Sequence, residues 1–140
     1  MSSFFLSGRM RGSVRMNKTR KKVLLVDDEP SVSSSLCDLL ELWGYEVCDP
    51  VTTGEAAVSS TVSEKPDLVL MDIQLKGPMN GIESAMEIKK HNSAPIIFMT
   101  GYVNDRPRKE AEILRPAAYL TKPLELDELR SVQESASHAQ

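Results

Sequence analysis

The apolar residues of the 140-residue chain gather in five short runs. KVLLVDD at 22–28 reads as a strand bounded by acids, and YEVCD at 45–49 as a second. DLVLMD at 67–72, PIIFMTG at 95–101 and AAYLT at 117–121 read as three more. Between these runs the period changes. In SVSSSLCDLLELWG at 31–44, Val32, Leu36, Leu39, Leu40 and Trp43 recur at helical spacing, with Pro30 near the start and Gly44 at the stop. TTGEAAVSSTVSEK at 52–65 predicts a weaker helix with an apolar face of Ala56, Ala57 and Val62, ended by Pro66. NGIESAMEIKKHN at 80–92 predicts a third helix that packs Ile82, Ala85, Met86 and Ile88 and is capped by Asn80. A polar helical segment is expected from about Asn104 to Leu114, and LDELRSVQESA at 126–136 predicts the last helix. Pro107 suits a first turn and disfavours a helix interior, so the fourth helix is expected to start late or to be incompletely formed.

Strands alternating with helices, three of them nearly continuous apolar runs, are the signature of a parallel sheet covered on both faces. The expected fold is therefore α/β, a doubly wound five-stranded parallel sheet. Such sheets place their sites outside the carboxyl ends of the strands. Those ends carry the chemistry here. Asp27 and Asp28 close the first strand, Asp72 the third and Thr100 the fourth, while Lys122 follows the fifth. A single strand-end acid is ordinarily a helix cap or a solubilising loop residue. Three acids, a hydroxyl and a lysine at matching ends are harder to assign that way. Clustered carboxylates raise one another's pKa and call for a compensating cation. Lys122 supplies one charge, and a hard divalent ion such as Mg²⁺, which favours carboxylate, carbonyl and water oxygens, would supply the rest. An incoming phosphoryl group suits such a pocket, because an Asp carboxylate can attack phosphorus in line. Thr100 and Lys122 are expected at its rim.

Charge is unevenly spread. Residues 1–22 hold seven of the 17 Lys and Arg and none of the 20 acids, so the remainder carries ten bases, 20 acids and a net charge of −10. An acidic body is a poor nucleic-acid binder. Residues 1–20 read as a basic, disordered tail, with a contact arm or an organellar transit peptide as alternatives and Met16 as a possible alternative start. FFL is too short for a signal-peptide core, and no apolar run approaches the roughly 20 residues that span a bilayer. Cys37 and Cys48 lie outside CxxC spacing and read as reduced core or near-core thiols. A cytoplasmic setting without membrane contact is expected.

VLLVDDE at 23–29, LVLMDI at 68–73, IIFMTG at 96–101 and YLTKP at 119–123 together resemble the receiver domain of two-component response regulators, the CheY-like superfamily with a flavodoxin-like fold. The resemblance covers about residues 21–135, and the receiver unit is expected over 21–137. It implies that Asp72 is the phosphoacceptor, that Asp28 binds Mg²⁺ directly with Asp27 as its partner, and that the backbone carbonyl of Gln74 is a further metal ligand. It implies that Thr100 is the switch hydroxyl, that Lys122 pairs with the phosphoryl group, that a cis peptide precedes Pro123, and that Tyr119 is the aromatic whose orientation follows the threonine. Gly101 would leave space beside the site, and Gln74 is long enough to reach a water there. The implied partners are a histidine kinase or histidine phosphotransfer protein, a downstream protein target or the output domain of another chain, and in many receivers a second copy paired through the face of the fourth strand, fourth helix, fifth strand and fifth helix. The chain would be a signalling phosphoacceptor rather than an enzyme, either standing alone or cut from a longer protein. Its acceptor loop departs from the commonest pattern, because LKGPMNG places two extra residues before Gly81. Two other classes stay open. One is a pseudo-receiver that binds partners without phosphate. The other is a Mg²⁺-dependent phosphatase, which would want a further acid and a substrate-covering element.

Overall fold

The computed structural model describes residues 20–101 and 105–138. The basic tail, residues 1–19, lies outside the described residues. The elements run β1 (Lys22–Val26), α1 (Pro30–Leu42), β2 (Glu46–Val47), α2 (Gly54–Glu64), β3 (Leu68–Asp72), α3 (Gly81–Ile88), β4 (Ile96–Thr100), α4 (Asp105–Ile113), β5 (Ala118–Thr121) and α5 (Leu126–His138). All strand pairs are parallel, in the order β2-β1-β3-β4-β5. This is the doubly wound arrangement the apolar runs predict, with its topological switch point between β1 and β3.

Alternation along the strands divides the interior into two cores. Leu24, Val26, Val69, Met71, Ile96 and Phe98 face α2, α3 and α4, meeting Ala57, Ile82, Ala85, Ile88 and Ala111. Val23, Leu25, Leu68, Leu70, Ile97 and Met99 face α1 and α5, meeting Leu36, Leu40, Leu129 and Ala136. Every residue of β3 and β4 is buried, which explains why those strands read as unbroken apolar runs.

Helix boundaries follow local chemistry. Pro30 opens α1, and Gly44, at φ +96, takes the left-handed conformation that ends it. Asn80 and Glu83 form a reciprocal capping box at the start of α3, with both hydrogen bonds at 2.9 Å. The fourth helix is not late: it starts at Asp105, with Pro107 in the first turn, where amides have no partner within the helix.

Two expected faces are corrected. Val62 and Met86 are about half exposed, and α2 instead turns Gly54, Ala57 and Thr61 inward. The reason is close approach between α2 and α3. The Ser84 hydroxyl donates to the Gly54 carbonyl at 2.8 Å, which brings the two helices close at small residues. Thr61 is tolerated there because its hydroxyl donates to the Val58 carbonyl at 2.8 Å. Both cysteines are free thiols, Cys48 buried in the core and Cys37 partly exposed beside it. Burial pushes the Cys48 thiol up to about 11, which keeps it protonated and unreactive.

Candidate functional site

The sheet register assembles the pocket. Val26 pairs with Met71, so Asp27 and Asp72 follow side by side at the ends of β1 and β3. Asp72 pairs with Met99, and Thr100 pairs with Thr121, immediately before Lys122. Four separate strands thus deliver their polar termini to one edge. The carboxylate oxygens of Asp27, Asp28 and Asp72 lie within 4.8 Å of one another, a grouping that could hold one divalent cation.

Each acid is held by a specific donor. Lys122 Nζ donates to Asp72 Oδ2 at 2.8 Å and to Asp27 Oδ2 at 3.1 Å. The other oxygens accept from the backbone, Asp27 Oδ1 from the Glu29 amide at 2.8 Å and Asp72 Oδ1 from the Gln74 amide at 3.0 Å. Asp28 Oδ2 accepts from the Lys76 amide at 3.2 Å, which ties the acceptor loop to the end of β1. Lys122 is followed by a cis peptide to Pro123.

The charge balance is close. Burial raises the Asp72 pKa above the usual carboxylate range, Lys122 opposes the rise, and the charge of Asp27 adds to it. Burial alone would lower Lys122, but its hydrogen bonds and charge pairing with Asp72 and then Asp27 win, and its pKa is raised. One ammonium therefore serves two carboxylates, while a third stands beside them. The donor set, all hard oxygens around an excess of negative charge, fits a hard cation.

The lengthened acceptor loop is anchored to the protein. Leu75 is buried, and Met79 packs on Gly54 so closely that a Cβ at Gly54 would stand 2.9 Å from both the Met79 carbonyl oxygen and its Cγ. Gly81 sits against the backbone of Asp72 and Ile73, and its amide donates to the Ile73 carbonyl at 2.9 Å.

The expected site residues Asp27, Asp28, Asp72, Thr100 and Lys122 therefore converge, with Gln74 beside them. Thr100 is deeper than a rim position: it is fully buried. Gln74 turns its side chain toward β4, where Oε1 accepts from the Thr100 hydroxyl at 2.9 Å and from the Gly101 amide at 3.2 Å. A Cβ at Gly101 would meet nothing within 4 Å among the described residues. Tyr119 lies on β5 under the Arg108 guanidinium, 5.0 Å from the ring centroid. Burial raises the Tyr119 phenol, against a hydrogen bond with Thr100 and the charge of Arg108. Sequence reasoning missed the Arg108–Tyr119 stacking and the Gln74–Thr100 bond. Arg108 carried no signal beyond being one charge of many on α4.

Comparison with known proteins agrees with this geometry. The response regulator receiver domain matches residues 23–134. The chain is 32% identical over 109 residues to the transcriptional regulatory protein PdtaR of Mycobacterium tuberculosis, covering 78% of this chain and 53% of that protein. It is 34% identical over 121 residues to the regulatory protein AtoC of Escherichia coli, covering 85% of this chain and 26% of that protein. Among solved structures, the signal receiver domain of a modulated diguanylate cyclase from Desulfovibrio desulfuricans superposes with a TM-score of 0.80 at 33% identity, covering 86% of this chain and 95% of that one. A CheY-like receiver domain protein from Methanospirillum hungatei gives 0.76 at 28% identity, covering 85% and 95%. The chain belongs to the response regulator receiver domain family. It is a two-component phosphoacceptor module, a switch rather than an enzyme of turnover, and carries the clustered acids of that site. The chain spans about half or less of the length of these curated relatives. No helix among the described residues is long and apolar enough to cross a membrane.

Proposed function

We propose that residues 21–137 form a receiver whose Asp72 takes a phosphoryl group from the phosphohistidine of a histidine kinase or histidine phosphotransfer protein. The observation that carries this reading is the pairing of Lys122 Nζ with Asp72 Oδ2 at 2.8 Å and Asp27 Oδ2 at 3.1 Å, beside Asp28. A carboxylate oxygen of Asp72 attacks phosphorus, the phosphorus–nitrogen bond breaks, and the donor imidazole leaves with the electron pair. Lys122 then turns its charge to the phosphoryl oxygens. Mg²⁺ is the proposed cation, held by Asp27, Asp28, Asp72 and the Gln74 carbonyl, and when bound it neutralises phosphoryl charge. Thr100 donates to a phosphoryl oxygen, and Tyr119 responds on the neighbouring strand.

The signal then leaves through protein contacts. The face of α4, β5 and α5 bears exposed Arg108, Lys109, Glu110, Glu112, Glu125 and Asp127, a mixture of signs that suits a downstream protein or a second copy of the chain. An acidic body and the lack of a membrane-spanning helix among the described residues are consistent with work in the cytoplasm, away from nucleic acid and lipid.

Acetyl phosphate and Mg²⁺ test the reading. Intact mass and peptide mapping should find one acid-labile phosphoryl group on Asp72, absent after chelation and absent at that residue in Asp72→Asn. Equal labelling of the variant overturns the assignment. Partner binding that is indifferent to labelling would support the pseudo-receiver instead.

A further inference from the structure

The side chain of Gln74 has a task that the phosphoacceptor chemistry does not assign. Its own amide donates to Asp72 Oδ1 at 3.0 Å, which fixes its backbone beside the acceptor. The side chain then crosses to the end of β4. There Oε1 receives two donors, the Thr100 hydroxyl at 2.9 Å and the Gly101 amide at 3.2 Å. The orientation of the carboxamide follows from chemistry, because a backbone N–H can only donate and so must face the oxygen. A hydroxyl has one proton. While Thr100 gives that proton to Gln74, it has none for a phosphoryl oxygen on Asp72.

We infer that the Gln74 side chain is a latch on Thr100: it holds the hydroxyl and the end of β4 in the resting arrangement and competes with the phosphoryl group for the same proton. The inference rests on the receiver reading of Asp72 and Thr100 and adds a positioning residue to it. Phosphorylation must break the Gln74–Thr100 hydrogen bond before Thr100 can engage, so Gln74 sets how far the resting state resists switching. In the switched state the released carboxamide reaches solvent from its half-buried place near the pocket mouth and loses little. In the resting state nothing on a leucine at this position could accept from either donor. Gln74→Leu should therefore favour the switched state, by roughly threefold to tenfold, the net worth of one neutral hydrogen bond.

Two measurements decide it. The first needs no phosphoryl group. Hydrogen exchange by NMR should show the Gly101 amide exchanging faster in Gln74→Leu than in wild type, and an unchanged rate overturns the latch. The second titrates beryllium fluoride with saturating Mg²⁺ into wild type, Gln74→Leu, Thr100→Val and the double variant. Gln74→Leu should tighten binding threefold to tenfold, and the gain should shrink in the Thr100→Val background, where no hydroxyl proton is released and only the Gly101 contact remains. An undiminished gain without the hydroxyl, or weaker binding by Gln74→Leu, overturns the latch and leaves the receiver reading intact. A wild-type protein that does not take the fluoride at Asp72 defeats the receiver reading itself, and the latch with it.

Discussion

Replacing Gly81 by alanine should damage stability and site together. Gly81 is the buried first residue of α3, tucked under the acceptor strand. An added Cβ would collide with the Asp72 carbonyl oxygen and stand 2.8 Å from Ile73 Cα and 2.9 Å from the Asp72 carbonyl carbon. Non-bonded carbons sit comfortably at about 3.5–4.0 Å, so α3 and the end of β3 must part by about 1 Å. The atoms struck are all backbone, and none can rotate aside. Overpacking of this kind costs about 1–3 kcal/mol, and rigid neighbours place Gly81→Ala at the upper end. Alanine returns up to about 1 kcal/mol by restricting the unfolded chain. The net loss is then about 2 kcal/mol, a fall in Tm of roughly 6–10 °C for a domain of this size. Because the displaced backbone carries Asp72, its contacts with Lys122 at 2.8 Å and with the Gln74 amide at 3.0 Å must also stretch. Mg²⁺ affinity should drop in parallel. Thermal unfolding followed by circular dichroism, with and without Mg²⁺, reads both effects. Gly101→Ala is the control, since a Cβ there meets nothing within 4 Å among the described residues and should change Tm little. A Gly81→Ala protein with wild-type Tm and wild-type Mg²⁺ affinity would refute the argument that the acceptor strand leans on this glycine.

The remaining predictions concern buried polar groups. Asp72 has a folded-state pKa above its unfolded value, so its stabilising contribution is full below about pH 4 and is lost as pH rises through the folded pKa. Without divalent ions, Asp72→Asn should therefore be more stable than wild type at pH 7, and denaturant melts should show the difference closing as pH falls. A gap that widens on acidification would reverse the sign of the reasoning. Gln133 lies on the inward face of α5 between Leu129 and Ala136, fully buried, and neither polar atom of its carboxamide has a hydrogen-bond partner among the described residues. Gln133→Met should raise stability by roughly 1–3 kcal/mol, seen as a higher urea midpoint at unchanged m-value, whereas a lower midpoint would mean that the carboxamide is satisfied in solution.

The parts of the fold legible in the sequence were those where one residue type had one place to go. The runs LVLMD and IIFMT could only be strands buried on both faces, and strands of equal length in register carried Asp27, Asp72 and Thr100 to a common edge. Inward faces of helices were less legible. Val62 and Met86 are among the larger apolar side chains of their segments, yet both are about half exposed. What decided the matter was the separation of α2 from α3, which admits Gly54, Ala57 and Ser84, and a separation between two helices has no signature in either alone. Burial at Thr100 escaped for a related reason. The end of a strand looks like a rim in sequence, but the acceptor loop folds over it through Gln74. The partner of Gln74 depends on a rotamer chosen by that loop, so composition and spacing are silent on it.

Tyr45 has a consequence for how such a module fits into larger machinery. Its carbonyl accepts from Arg20 at 2.9 Å, and its phenol lies 3.4 Å from the Ser137 hydroxyl near the end of α5. The first and last described turns of the chain are thus pinned to one corner. That corner lies at the amino ends of the strands, about 16 Å from the acids by the length of β1. The described ends, at Arg20 and near Ser137, therefore meet at the end of the sheet opposite the acids. A body whose described ends meet at one corner can be inserted into a longer chain at a single place, with its acidic edge turned the other way.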